Sequence, residues 1–194
     1  MIINTISLPE MFERLIRSRE GNDAPLRAGL VETPMRATQA WFAKTRGYEG
    51  DVSTHFKSFE PETNTVRGMV LVRDIEIESL CEHHLERIWG YAHIAYVPIK
   101  HVLGLSKFHR VADAFARRLQ IQERLTANIA DAFMQHLVPL GVGVVIEARH
   151  ACMESRGIER RGAITITSEL RGCFYDDPTT RSEFLSLART NRCF

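Results

Sequence analysis

The stretch SLCEHHLERIWG, residues 79–90, sets one cysteine and two histidines within four positions, directly after an alternating apolar run. Cys81 and His84 are spaced C-x-x-H, and a turn brings residues i and i+3 to one side, a two-ligand clip of the kind zinc takes. A second clip lies about seventy positions further on in RHACMESRG, where His150 and Cys152 stand two apart at the end of another alternating run. Strand residues two apart point the same way, so both could face one pocket. If the two strand ends meet, they offer two thiolates, Cys81 and Cys152, and three imidazoles, His83, His84 and His150. Five candidates for at most four places leave histidines over, and a spare histidine beside a metal-bound water can carry protons. The spacing leaves open which histidine ligates. It also leaves open whether the site keeps a place for water, closes on four protein ligands, or is only a buried thiol with unrelated histidines.

Two further segments could do chemistry. GLSKFHR, residues 104–110, puts Gly104, Ser106 and Lys107 at a helix start, with Arg110 on the same face as Lys107 and opposite an apolar stripe. Backbone N–H groups and the positive end of the helix dipole favour an anion there, and a phosphate chain would suit it. The plainer alternative is a solvated face with an ordinary serine cap. QIQERLT, residues 120–126, puts Gln122 and Glu123 at another helix start. A carboxylate there commonly serves the dipole, whereas a buried one could bind the N–H edge of a guanine through two discriminating hydrogen bonds.

The elements that must position these groups follow from hydrophobic period. Leu8, Phe12, Leu15 and Ile16 fall at helical spacing. In ETPMRATQAWFAK, Thr33 reads as an N-cap and Pro34 as the first helical residue. A loop rich in turn residues runs to about Asn64. The period then changes: residues 66–79 alternate, with a phase shift at Arg73-Asp74 that reads as a bulge, and residues 89–97 alternate again. Helical spacing returns through Phe108, Val111, Ala112, Phe115 and Leu119, then through Leu125, Ile129, Ala132, Phe133 and Leu137, with Gly141 ending the second helix. Residues 142–149 and 163–170 are two more strands, and residues 179–189 a final helix. The central order strand, strand, helix, helix, strand, strand implies an α+β fold: an antiparallel four-stranded sheet with two helices on one face, the other face uncovered and both edges open. Such edges invite pairing with another subunit. The expected division is an N-terminal helical region, residues 1–64, and a catalytic unit, residues 65–194.

Composition narrows the function class. The chain has 194 residues, 44% hydrophobic and 25% charged, with a formal net charge of +1, which argues against a nucleic-acid or membrane binder driven by bulk charge. No apolar run approaches the roughly 20 residues that span a bilayer. The first residues lack a basic start followed by a long apolar stretch, so no secretory signal is visible and the cytoplasm is the default. Four cysteines are too few for a disulfide scaffold of this size. Cys173 and Cys193 read as a small packing residue and a tail residue.

Taken in order, ETPMR, CEHH, HIAYVP, GLSKFHR, QIQERLT, HACMESRG, TITSELRG and DDPTTRSEFLSLAR closely resemble the GTP cyclohydrolase I family, from about Glu32 to Arg189. The resemblance implies the tunnelling fold, whose module is the ββααββ order just read. It also implies an oligomeric barrel, commonly a homodecamer of two pentamers, with active sites at subunit interfaces. It implies Zn2+ held by Cys81, His84 and Cys152 with water in the fourth place, and His83 and His150 as unligated acid–base groups. Glu123 would bind guanine, with Gln122 beside it lining the purine pocket. Ser106, Lys107, Arg110 and Arg156 would hold triphosphate and ribose, Ser106 also serving proton transfer, and Glu82 would be a pocket carboxylate. The implied reaction takes GTP and water to 7,8-dihydroneopterin triphosphate and formate. Departures from the family pattern are Glu86-Arg87 after CEHH, Tyr91 where a basic residue is frequent, and Ile164 where some relatives carry lysine; none is a proposed ligand. A structural zinc module, or a same-fold enzyme acting on another purine or pterin, are the competing readings.

Overall fold

The computed structural model describes residues 6–21, 25–60 and 68–189. The chain forms two compact units, Met1–Thr45 and Arg46–Phe194. The division expected at residues 64 and 65, the start of the strand expected from residue 66, and Cys193 lie outside the described residues.

In the first unit, helix α1 (Leu8–Glu20) opens with a capping box in which Ser7 and Glu10 satisfy each other's end of the first turn. Helix α2 (Thr33–Thr45) carries Pro34 inside its first turn, where the missing N–H costs nothing. Thr33 is already helical, one residue ahead of the expected start.

The second unit begins with short 3-10 turns and strand β1 (Ser58–Phe59). The long strands β2 (Val70–Cys81) and β3 (Arg87–Val97) pair antiparallel, with the register slip between Val72 and Ile75 that the broken alternation announces. Asp74 takes φ 58° in that bulge. The tiny strand β4 (Val102–Leu103) pairs with β1. Helix α3 (Leu105–Ala116), strand β5 (Leu119–Gln120), helix α4 (Gln122–Leu137) and strand β6 (Gly141–His150) follow. A single turn, α5 (Ala151–Glu154), precedes strand β7 (Thr165–Gly172), the turn α6 (Cys173–Asp176) and helix α7 (Pro178–Ala188). Gly141 starts β6 and does not end α4, which closes instead on Val138 in the left-handed region.

The sheet order is β5-β2-β3-β6-β7, so two features differ from the four-stranded expectation. Strand β5 caps one edge by running parallel to β2, Leu80 beside Leu119 and Cys81 beside Gln120. Two residues carry too little alternation to register as a strand. The face expected to be bare is also partly covered. Helices α3 and α4 pack Phe108, Val111, Leu125, Ile129 and Phe133 onto one face of the sheet, over Ile75, Ile94, Val144 and Ile146. On the opposite face Phe174 and Phe184 from α6 and α7 pack with Ala95 and Val145. Gly143 makes room for those two rings, since a Cβ there would come within 2.8 Å of both. At Gly90 the backbones of β3 and β6 approach so closely that a Cβ would lie 2.0 Å from the Glu147 carbonyl oxygen.

Asp177 caps α7, accepting hydrogen bonds from the backbone N–H groups of Thr179 and Thr180 and from the Thr180 hydroxyl. These donors, the Thr180 hydroxyl first, hold its pKa down to about 2. A depressed carboxylate stabilises the fold above its unfolded pKa and ceases to as the pH falls through its folded one. Asp177→Ala should therefore lower the melting midpoint by about 2–4 °C at neutral pH. The gap to the parent should close as the pH approaches 2, which thermal melts across acid pH would measure.

Candidate functional site

Strand β2 ends at Cys81, and the chain folds back at once. The Leu85 amide donates to the Cys81 carbonyl at 2.8 Å and the Cys81 amide to the Glu86 carbonyl at 2.8 Å. Closing so tight a turn puts Leu85 at φ 57°, a backbone that costs a residue with a Cβ about 1–2 kcal/mol. Strand β5 supports the turn from below, its Gln120 carbonyl accepting from the Glu82 amide at 3.0 Å. The turn swings His84 back over Cys81, with Nδ1 3.8 Å from Sγ.

The other half of the site comes from β6. Its last residue is His150, opposite Ile88 of β3. Cys152 is not on the strand, as expected, but in the turn α5. That turn sends the two side chains to different neighbours: His150 meets α4, while Cys152 reaches Cys81. The Cys81 and Cys152 sulfurs and one His84 nitrogen lie within 4.8 Å of one another. Burial first, and then the neighbouring Cys81, push the Cys152 thiol above its ordinary pKa. Two adjacent thiols resist ionising together, and a divalent cation between them reverses that preference. Tetrahedral zinc places sulfur and nitrogen ligands about 3.6 Å apart, close to the separation of Cys81 and His84. The donor set, two sulfurs and one imidazole, thus fits zinc.

His83 and His150 stay outside this group in different settings. His83 is exposed, its Nε2 3.8 Å from the Glu82 carboxylate. Glu82 is itself paired with Arg124, whose guanidinium holds the carboxyl below its ordinary range. His150 is half-buried, and its Nε2 stands 2.7 Å from Gln122 Oε1. The Gln122 amide nitrogen is shared among the Ile146 carbonyl, the Thr165 carbonyl and the Thr167 hydroxyl at 2.9–3.1 Å. Those three acceptors fix which end of the amide is nitrogen, so Oε1 faces the histidine and accepts from Nε2–H. Burial pushes the His150 pKa down, opposed by the nearby Glu123 carboxylate. Gln122 is only 2% exposed. Within this chain the Gln122 side chain is occupied in holding His150.

Glu123 lies exposed in the first turn of α4 and not buried. Arg156 is exposed just beyond α5, close enough to Cys152 to favour its thiolate. Ser106, Lys107 and Arg110 sit at the start of α3, whose N-cap is Gly104 with no side-chain cap bond. Among the described residues, no hydrogen bond or ion pair ties them to the cysteine–histidine group. Arg110 instead opens onto a hollow of about 300 Å³ with Arg46, His55 and Asp113. A separate cleft of about 430 Å³ adjoins the site through Glu82, Gln120 and Arg124. Arg124 is a residue that spacing alone did not single out. Its bond to Gln120 is an ordinary helical i,i+4 pair, but its reach to Glu82 crosses 42 positions.

An α+β chain that gathers Cys81, His84 and Cys152 beside the ends of two strands, with two histidines left over, has the build of an enzyme with a group that could hold a metal ion. The chain belongs to the GTP cyclohydrolase I family, whose profile matches residues 10–189. A GTP cyclohydrolase 1 from Leptospira biflexa is 55% identical over 166 residues, covering 86% of this chain and 90% of the relative. Another from Dictyostelium discoideum is 49% identical over 179 residues, covering 92% of this chain and 76% of the relative. A solved archaeosine synthase QueF-Like chain in the apo form shows 17% identity and a TM-score of 0.45 over 54% of this chain and 93% of its own, too slight a likeness to bear on the fold.

Proposed function

We propose that this chain is a zinc-dependent GTP cyclohydrolase I, taking GTP and water to 7,8-dihydroneopterin triphosphate and formate. The observation that carries the reading is the Cys81–His84–Cys152 group, with one ligand atom from each within 4.8 Å of the others. Zinc held there by Cys81, His84 and Cys152 would bring the pKa of its water toward about 7 and so supply a nucleophile at neutral pH. The chain's own residues manage the protons. Burial favours the neutral form of His150, and Gln122 occupies Nε2, so Nδ1 is the atom that takes up a proton and returns it. His83, exposed beside Glu82, is the second carrier. Glu123 offers its carboxylate to the N–H edge of guanine, which a site lacking that acceptor would not select. Ser106, Lys107, Arg110 and Arg156 supply hydroxyl and positive charge for ribose and triphosphate.

Because no hydrogen bond or ion pair among the described residues ties Ser106, Lys107 or Arg110 to the cysteine–histidine group, the complete site is best read as shared between subunits. The homo-oligomer, commonly a decamer of two pentamers in this family, belongs to the proposal, as does a cytoplasmic location. No described helix is long and apolar enough to cross a membrane. The test is turnover: metal-replete protein given GTP should release formate and yield a fluorescent pterin after oxidation. A chelator should abolish both, and added zinc should restore them. Metal-replete protein that leaves GTP intact would overturn the proposal.

A further inference from the structure

The turn α5 that carries Cys152 is only four residues long. One isolated helical turn is unfavourable in water, because several dihedrals are fixed for one hydrogen bond. Something outside must hold it. Ser155 closes it internally through the Ala151 carbonyl, and the Arg160 amide reaches the Met153 carbonyl at 2.9 Å. The strongest tie is different in kind. Arg149, the residue before His150, forks onto Glu154, the last residue of the turn, with Nε to Oε1 at 2.7 Å and Nη2 to Oε2 at 2.5 Å. The pair spans the turn and has side-chain exposures of 22% and 12%. The fork rests on a platform. Trp89 is the cross-strand neighbour of Arg149, and the guanidinium carbon sits 5.1 Å from its ring centroid. Arg87 approaches the same ring at 5.1 Å and is compensated by Glu78 at 3.4 Å.

A largely desolvated ion pair is poor value as plain stabilisation, since well-packed apolar residues often do as well. Its use here is geometric: a planar fork fixes distance and orientation together, as a lysine could not. We infer that the Arg149–Glu154 clamp, seated on Trp89, is a positioning device that sets Cys152 against Cys81 and so governs how tightly the site retains its metal. The inference rests on the zinc reading above and deepens it. Among the described residues the hydrogen bonds and ion pair of the fork join Arg149 and Glu154 to each other and not to a ligand side chain, so their effect passes through the Cys152 turn.

The experiment follows zinc release from the full-length, zinc-loaded protein into an excess of a chromogenic chelator, for the parent, Arg149→Met and Glu154→Gln. Release should quicken by about 10–100-fold in both variants, the usual cost of losing a partner that orients a ligand. The thiolate-to-metal bands of cobalt-substituted protein should change in both. The melting midpoint of the metal-free protein should stay within a few degrees, because the rest of the sheet does not depend on the clamp. Glu154→Gln is nearly isosteric and keeps the test open if Arg149→Met fails to fold. Release within twofold of the parent in a folded variant overturns the clamp while leaving the zinc site standing. A parent protein that retains no zinc overturns the zinc reading itself, and the clamp with it.

Discussion

Cys152→Ala is expected to yield a folded protein that retains no stoichiometric zinc and turns over GTP at least about 10³-fold more slowly, the loss that follows when several kcal/mol of metal assistance go. Cys152 is the better ligand to remove because of where it sits. Cys81 is buried at 6% exposure, inside the main core and within the β2–β5 pairing, so replacing it would disturb packing as well as chemistry. Cys152 is half-buried on a short turn and packs only against the margin of that core, so replacing it removes less packing than replacing Cys81. Metal analysis after dialysis, formate release and a far-ultraviolet spectrum together separate loss of ligand from loss of fold. Full metal content in the variant would show that Cys152 does not ligate.

The parts of this arrangement that could be read from sequence were those written in local period and short spacing. The bulge between Val72 and Ile75 shows as a broken alternation, and the C-x-x-H clip from Cys81 to His84 survives as a real proximity because a tight turn spans three residues. What could not be read depends on long-range partners. Strand β5 is two residues long and exists because β2 offers it an edge. Helices α6 and α7 reach the sheet's second face through Phe174 and Phe184, whose spacing gives no sign of which surface they cover. The misplacement of Cys152 on a strand has the same origin. Its turn is held by Arg149 and Glu154, five positions apart, a spacing that matches neither helix nor strand. Gln122 was singled out for its place beside Glu123, but its occupation by Ile146, Thr165 and Thr167 rests on contacts 24 to 45 positions away.

His150→Ala should separate chemistry from metal retention. The expected result is full zinc content with turnover reduced by about 10²–10⁴-fold, the range for losing a positioned proton carrier. KM for GTP should move far less than kcat, since Glu123 and the basic residues that would bind substrate remain. The fold should tolerate the change at a modest cost. Removing the ring leaves Gln122 Oε1 unpaired, which costs about 1–3 kcal/mol if water does not enter, while the three acceptors on the amide nitrogen still hold the side chain in place. That residual order gives a sharper comparison. Gln122→Met keeps the histidine and removes the group that occupies its Nε2, so the ring is free to turn and present either nitrogen. Turnover should then fall by less than in His150→Ala, and His150→Ala added on top should cost less than it does alone, because the two residues act as one unit. Fully additive losses would mean that Gln122 serves the reaction by a route other than this imidazole. Loss of zinc from His150→Ala would instead make the ring a ligand.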